Sequence, residues 1–196
     1  MVGGNIGHPP YDPDIDAGPY DYWVIEVSSY QATDLACSPP VVAVTSLHPD
    51  HLDWHGGVEN YFRDKLSACS QPGADLTVAS GDSDLLRERA SMLGPRVEWV
   101  RAADDPGATW MAPLGLLGDH NRRNALIARR CLAALGIAGA SDEAALRSAA
   151  GGSATWTSAC RWSATSPGSR SWTTACPRMS SRRSPRWTRS VAGASR

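Results

Sequence analysis

The sequence predicts an α/β fold over residues 1–150, a doubly wound, mostly parallel sheet with flanking helices. Two observations carry that expectation. Short β-branched apolar runs, YWVIEVS at Tyr22–Ser28 and VVAVTSL at Val41–Leu47, end in polar residues, as strands of a buried parallel sheet do. Further along, such runs alternate with stretches of helical spacing, which is the order of a βαβ chain.

In chain order, GGNIG at residues 3–7 reads as a turn whose missing Cβ atoms let backbone amides approach a ligand. Tyr22–Ser28 and Val41–Leu47 are the first strands. Gly57–Cys69 follows as a helix, Asp75–Ser80 as a strand, Asp82–Leu93 as a helix and Val97–Val100 as a strand. Asp119 is expected to cap a helix beginning at His120, with Ala125, Ala128, Cys131, Leu132 and Leu135 at helical spacing before Gly136 stops it. A last helix, Asp142–Ala149, takes Ser141 as its cap.

Charge divides the chain. Residues 1–150 hold all 20 acidic residues and 11 basic ones, a net −9, whereas residues 151–196 hold 8 arginines and no acid, a net +8. That second segment has 11 Ser, 6 Thr and 4 Trp but no Leu, Ile, Phe or Tyr, so it has no aliphatic face to bury and is expected to be a disordered basic tail. A nucleic-acid arm is the alternative, since cations meet phosphates and indoles stack on bases, but no nucleic-acid partner is expected. The 5 cysteines include no CxxC pair, which argues against a disulfide framework or a zinc knuckle. No apolar run approaches the ~20 residues of a membrane span, and MVGGNIGHPP does not have the form of a secretion signal. A cytoplasmic location without a membrane partner is therefore expected; the sequence leaves the oligomeric state open.

Ligands of open α/β sheets gather beyond the carboxyl ends of the strands. Glu26, Ser28, Ser29, His48, Asp50 and His51 all fall at or just after such ends. Glu26 interrupts an apolar strand, where a lone carboxylate is costly to bury, so it asks for a cation. Mg²⁺, held by few protein ligands and a phosphate, suits it; an arginine partner is the alternative. His48, Asp50, His51, Asp53 and His55 crowd together as the ligands of a two-metal hydrolase do, but without the HxHxDH spacing, and His55 reads as a surface residue. Lys65 is the only lysine beside 18 arginines. An amine can lose its proton and become a nucleophile or a carbamate, and a guanidinium cannot. A solvated helix lysine is the plainer alternative. No GxxxxGK[ST] loop occurs.

Taken together and in this order, GGNIG (3–7), VIEVSSYQ (24–31), HPDHLDWHG (48–56), YFRDKL (61–66) and GDHNRRNAL (118–126) resemble the Mur ligases. The resemblance implies the central, ATP-binding domain of an ATP-dependent, amide-forming ligase of peptidoglycan synthesis that works through an acyl phosphate. Within the family, the branch that adds D-glutamate to UDP-N-acetylmuramoyl-L-alanine is most similar; the sequence leaves the handedness of the glutamate open, with L-glutamate in play. The resemblance further implies that Glu26 and His51 bind Mg²⁺, that Asn5 and Ser28 contact the UDP-muramoyl substrate, and that Asn121 and Asn124 contact ATP. Lys65 would be a carbamylated lysine that helps hold a second Mg²⁺ and, with His51, would carry the catalysis.

The chain also departs from the family. Its UDP-gripping domain and its phosphate-binding loop with a GKT lysine precede GGNIG, so both are expected to be missing and the chain alone inactive. The GLPHR opening of the family's third domain does not follow residue 150. A frame change is expected to account for the tail: WTTACPRMS (172–180), re-read from one base earlier, permits Val-Asp-Asp-Gly-Val-Ser-Thr-Asn-Val, similar to the family's DDSKATN. An inactive remnant of such a ligase and a metal-dependent hydrolase built on His48, Asp50 and His51 are the other readings.

Overall fold

The computed structural model describes residues 1–5 and 20–152. They fall into two compact units, Met1–Val27 and the residues from Ser28 on. Ile6 and Gly7 of GGNIG, and the expected tail beyond Gly152, lie outside the described residues.

In the first unit, β1 (Val2–Gly4) and β2 (Val24–Glu26) pair in parallel, with Gly4 opposite Glu26. The Val24 amide donates to the Met1 carbonyl at 2.9 Å, and the Asn5 amide to the Glu26 carbonyl at 2.8 Å. The first part of GGNIG is thus a strand and not the expected turn. Its glycine serves strand approach: at Gly4, φ is +117° and a Cβ would lie 2.1 Å from the Glu26 carbonyl oxygen.

The second unit is built on a parallel sheet in the order β3 (Val41–Val44), β4 (Leu76–Ser80), β5 (Val97–Val100). The described strands therefore form two sheets and not one. Right-handed crossovers between sequential parallel neighbours put both connections on one face. The helices of those connections, α2 (Leu52–His55) and α3 (Val58–Leu66) before β4 and α4 (Asp84–Glu88) before β5, do share a core. There Tyr61, Phe62 and Leu66 of α3 meet Val44, Ala79 and Leu86. On the other face Leu76, Val78 and Val100 pack against Trp110 and Met111 of a 3-10 turn (Thr109–Leu114), Leu126 and Ile127 of α5 (Gly118–Ala134), and Leu146 of α6 (Glu143–Gly152). β4, buried along its whole length, is the centre of this two-sided packing.

Several boundaries differ from those the sequence predicts. The β3 ladder ends at Val44, and Leu47 is fully buried beyond it. The helix expected over Asp82–Leu93 is α4, capped by Ser83, followed by a separate 3-10 turn at Ala90–Met92. The break falls at Arg89, whose guanidinium lies 4.2 Å from the Phe62 ring centroid and pairs with Glu59 at 2.7 Å. Helix α5 starts at Gly118 behind an extended Leu117, which leaves Asp119 in the first turn, beside the positive helix end, and not at the cap. For α6 it is Asp142, not Ser141, whose carboxylate accepts the Ala144 amide at 2.9 Å.

Candidate active site

Beyond β3 the chain passes the exposed His48 and Asp50 and reaches His51 at φ 50°, ψ 36°. His51 is the one non-glycine residue with positive φ among the described residues. Left-handed backbone costs an ordinary side chain about 1–2 kcal/mol, and such strain concentrates at functional positions. Two contacts of Asp50 hold the turn: its Oδ1 accepts the His51 amide at 2.9 Å, and its Oδ2 lies 3.4 Å from His51 Nε2.

His55, expected on the surface, is buried. Its Nδ1 lies 2.6 Å from Asp64 Oδ2 and its Nε2 3.1 Å from Ser29 Oγ. A carboxylate only accepts, so Nδ1 carries the proton; in the neutral ring Nε2 then accepts from the Ser29 hydroxyl. Rings close the site. Tyr30 lies 5.1 Å from His51 and 5.6 Å from His55, Trp54 lies 4.6 Å from Tyr30, and Tyr61 lies 5.2 Å from His55. Sequence reasoning missed Ser29 and Asp64 as partners of His55, because they come 26 residues before it and 9 after it on other helices.

Lys65 is half-buried in the last turn of α3, with Nζ 5.6 Å from the Tyr61 ring centroid. Burial, and after it the charge of Asp50, push the Tyr61 phenol up to about 12. The phenol therefore stays neutral and offers the amine an apolar face. A run of ring contacts, His51 to Tyr30 to His55 to Tyr61 to Lys65, links two of the sequence-predicted site residues.

Ser28 stands at the entry to α1 (Ser29–Ala32), where its side chain accepts the Gln31 amide at 3.2 Å and Gln31 Oε1 accepts the Ser28 amide at 3.0 Å. Asn121 and Asn124 are half-buried on α5, and the Asn121 side-chain amide donates to the Leu117 carbonyl at 2.9 Å. In the first unit, Asn5 is exposed at the end of β1 and Glu26 half-buried at the carboxyl end of β2, the two joined by the Asn5 amide bond. No arginine of the described residues pairs with Glu26, so the ion pair expected as the alternative does not form among them. A carboxylate without an arginine partner among the described residues, at a strand end, suits a hard divalent ion that prefers oxygen ligands. Among the described residues no three His, Cys, Asp or Glu side chains gather as a metal site, so the cluster expected of a hydrolase on His48, Asp50 and His51 does not form there. No helix among them is long and apolar enough to cross a membrane.

Residues 6–112 match the Mur ligase middle domain. The chain belongs to the Mur ligase family. It is 38% identical over 152 residues to a UDP-N-acetylmuramoyl-L-alanine--L-glutamate ligase of Micromonospora sp., covering 70% of this chain and 32% of the relative. It is 33% identical over 166 residues to the protein of that name in Xanthomonas euvesicatoria, covering 75% of this chain and 34% of the relative. To a UDP-N-acetylmuramoylalanine--D-glutamate ligase of Cereibacter sphaeroides it is 36% identical over 182 residues, 77% of this chain and 39% of the relative. The chain thus spans about a third of the length of the curated relatives it matches. The matched segment of this Mur ligase contains His51 and Lys65 together with the ring cluster between them.

Proposed function

We propose that this chain is the ATP-binding middle portion of a cytoplasmic ligase that joins glutamate to UDP-N-acetylmuramoyl-L-alanine in peptidoglycan synthesis. The observation that carries the reading is the left-handed His51 linked by a run of rings to the chain's only lysine, inside the segment that matches the family. ATP and Mg²⁺ supply the phosphoryl group and the charge neutralisation that turn the substrate carboxylate into an acyl phosphate for amine attack.

The chain's own residues would do the following. Glu26 and His51 would hold Mg²⁺. The uncharged Lys65 amine would add to CO₂, forming one N–C bond and releasing one proton to solvent, so that an oxygen anion takes the place of a nitrogen base and becomes a ligand for a second Mg²⁺. The neutral Tyr61 beside it adds no competing charge. Asn121 and Asn124 would bond the nucleotide, and Asn5 and Ser28 the UDP-muramoyl substrate. A Ser28 hydroxyl already engaged with Gln31 would meet that substrate from a fixed position.

A chimera tests the reading: residues 1–152 replace the matching segment of the Micromonospora relative, and phosphate release is followed. Release is expected only with ATP, Mg²⁺, UDP-N-acetylmuramoyl-L-alanine and glutamate all present, and running D- and L-glutamate separately identifies the isomer. Release that needs no glutamate, or none in a folded chimera whose parent is active, would refute it.

A further inference from the structure

Three helices each carry or adjoin one candidate site residue: Ser28 precedes α1, His51 precedes α2, and Lys65 lies on α3. One imidazole ties all three together. His55 belongs to α2, its Nε2 reaches Ser29 of α1 at 3.1 Å, and its Nδ1 reaches Asp64 of α3, the residue before Lys65, at 2.6 Å. The tie is buried, with the His55 side chain at 0% exposure and Ser29 at 4%. Tyr30 and Tyr61 flank the same ring, and they are also the rings that touch His51 and Lys65.

Ser29, His55 and Asp64 are connected as a serine nucleophile, its base and an orienting carboxylate are. Burial argues against hydrolysis, because an acyl substrate cannot reach the Ser29 oxygen. What the arrangement does supply is rigidity. Both imidazole nitrogens are engaged, so the ring cannot turn without breaking a bond, and one bond is to a carboxylate, the stronger kind. Rotation of α3 about its axis would carry Asp64 and Lys65 together, so fixing the first fixes where the second emerges.

We propose that His55 is a positioning residue, which through Asp64 and Ser29 sets the Lys65 amine and the His51 turn in one fixed relation. This rests on the reading of Lys65 as a carbamylated lysine. Nothing in the proposal requires His55 to touch a substrate or an ion.

Because Lys65 is the only lysine, amine-directed labels report a single side chain, and the N-terminal amine is told apart as the signal that persists in Lys65→Arg. The full chain and its His55→Asn, Asp64→Asn and Ser29→Ala variants are compared by ¹³C NMR in two ways, as the carbamate formed in ¹³C-bicarbonate and as the resonance of reductively ¹³C-methylated Lys65. Only variants whose circular dichroism and melting midpoint match the unaltered chain are scored, and Ser29→Ala, the smallest change, keeps the test open if the others do not fold. The carbamate fraction is expected to fall by about tenfold in His55→Asn and Asp64→Asn, the scale of losing one charge-assisted hydrogen bond, and less in Ser29→Ala. The methyl resonance should move in the same order. If the unaltered chain forms no carbamate but the methyl resonance still moves, the carbamate reading fails and the positioning role stands. Folded variants in which neither signal changes would overturn the proposal.

Discussion

Phe62 anchors the helix that carries Lys65, and replacing it by alanine tests whether that helix is held as described. The side chain is 1% exposed and lies in the core formed by Val44, Leu47, Leu66, Ala79 and Leu86. Emptying such a site costs about 3–5 kcal/mol, from the transfer of the ring and from the cavity left behind. A second loss adds to it. The Arg89 guanidinium rests 4.2 Å from the ring centroid while pairing with Glu59 at 2.7 Å and Glu88 at 3.3 Å, and losing the ring removes about 0.5–1 kcal/mol of cation–π attraction. Together Phe62→Ala should cost about 3.5–6 kcal/mol, a large share of the roughly 0.05–0.15 kcal/mol per residue that holds a domain of this size. Urea titration followed by far-ultraviolet circular dichroism measures it, with Phe62→Leu as the milder control, expected to lose under about 1.5 kcal/mol. A loss under about 1 kcal/mol for Phe62→Ala would refute the packing of α3 against the sheet.

Gly4→Ala should disrupt the β1–β2 pairing, because the added methyl meets the Glu26 carbonyl at 2.1 Å and φ is +117°. Hydrogen exchange should then quicken at the Asn5 and Val24 amides, whereas unchanged protection would show that the strands do not pair this closely. Burial pushes the Cys69 thiol up to about 11 from an ordinary value near 9. The folded chain therefore favours the protonated thiol, and the stability this contributes is complete below pH 9 and lost as pH rises towards about 11. Over that window the chain should lose on the order of 2 kcal/mol more than a Cys69→Ala variant; parallel pH profiles of the two would count against a buried thiol. In peptide-resolved alkylation at neutral pH the exposed Cys37 should react well before Cys69.

How far the sequence could be read depended on where each residue finds its partners. Val97–Val100 is the strand expected, and β4 differs from expectation only by the loss of Asp75, because both are apolar runs whose burial is written locally. The break after α4 was not readable, since Arg89, where it falls, pairs with Glu59, 30 residues earlier. Likewise GGNIG suggested a turn, but its glycine density answers a strand more than twenty residues ahead. In the candidate site, His51 and Lys65 stood out by residue type and placement. The left-handed backbone of His51 and the burial of His55 did not, because both depend on packing among α1, α2 and α3 that no local period records.

Under the proposed function Lys65 acts as an anion made from an amine, which arginine cannot imitate. The full chain in ¹³C-bicarbonate should give, beside that of the N-terminal amine, a carbamate ¹³C resonance that is present with Lys65, lost in Lys65→Arg, and strengthened by Mg²⁺. Carbamate signal no greater than that of the N-terminal amine, and the same in Lys65→Arg at every bicarbonate and Mg²⁺ concentration, would contradict it.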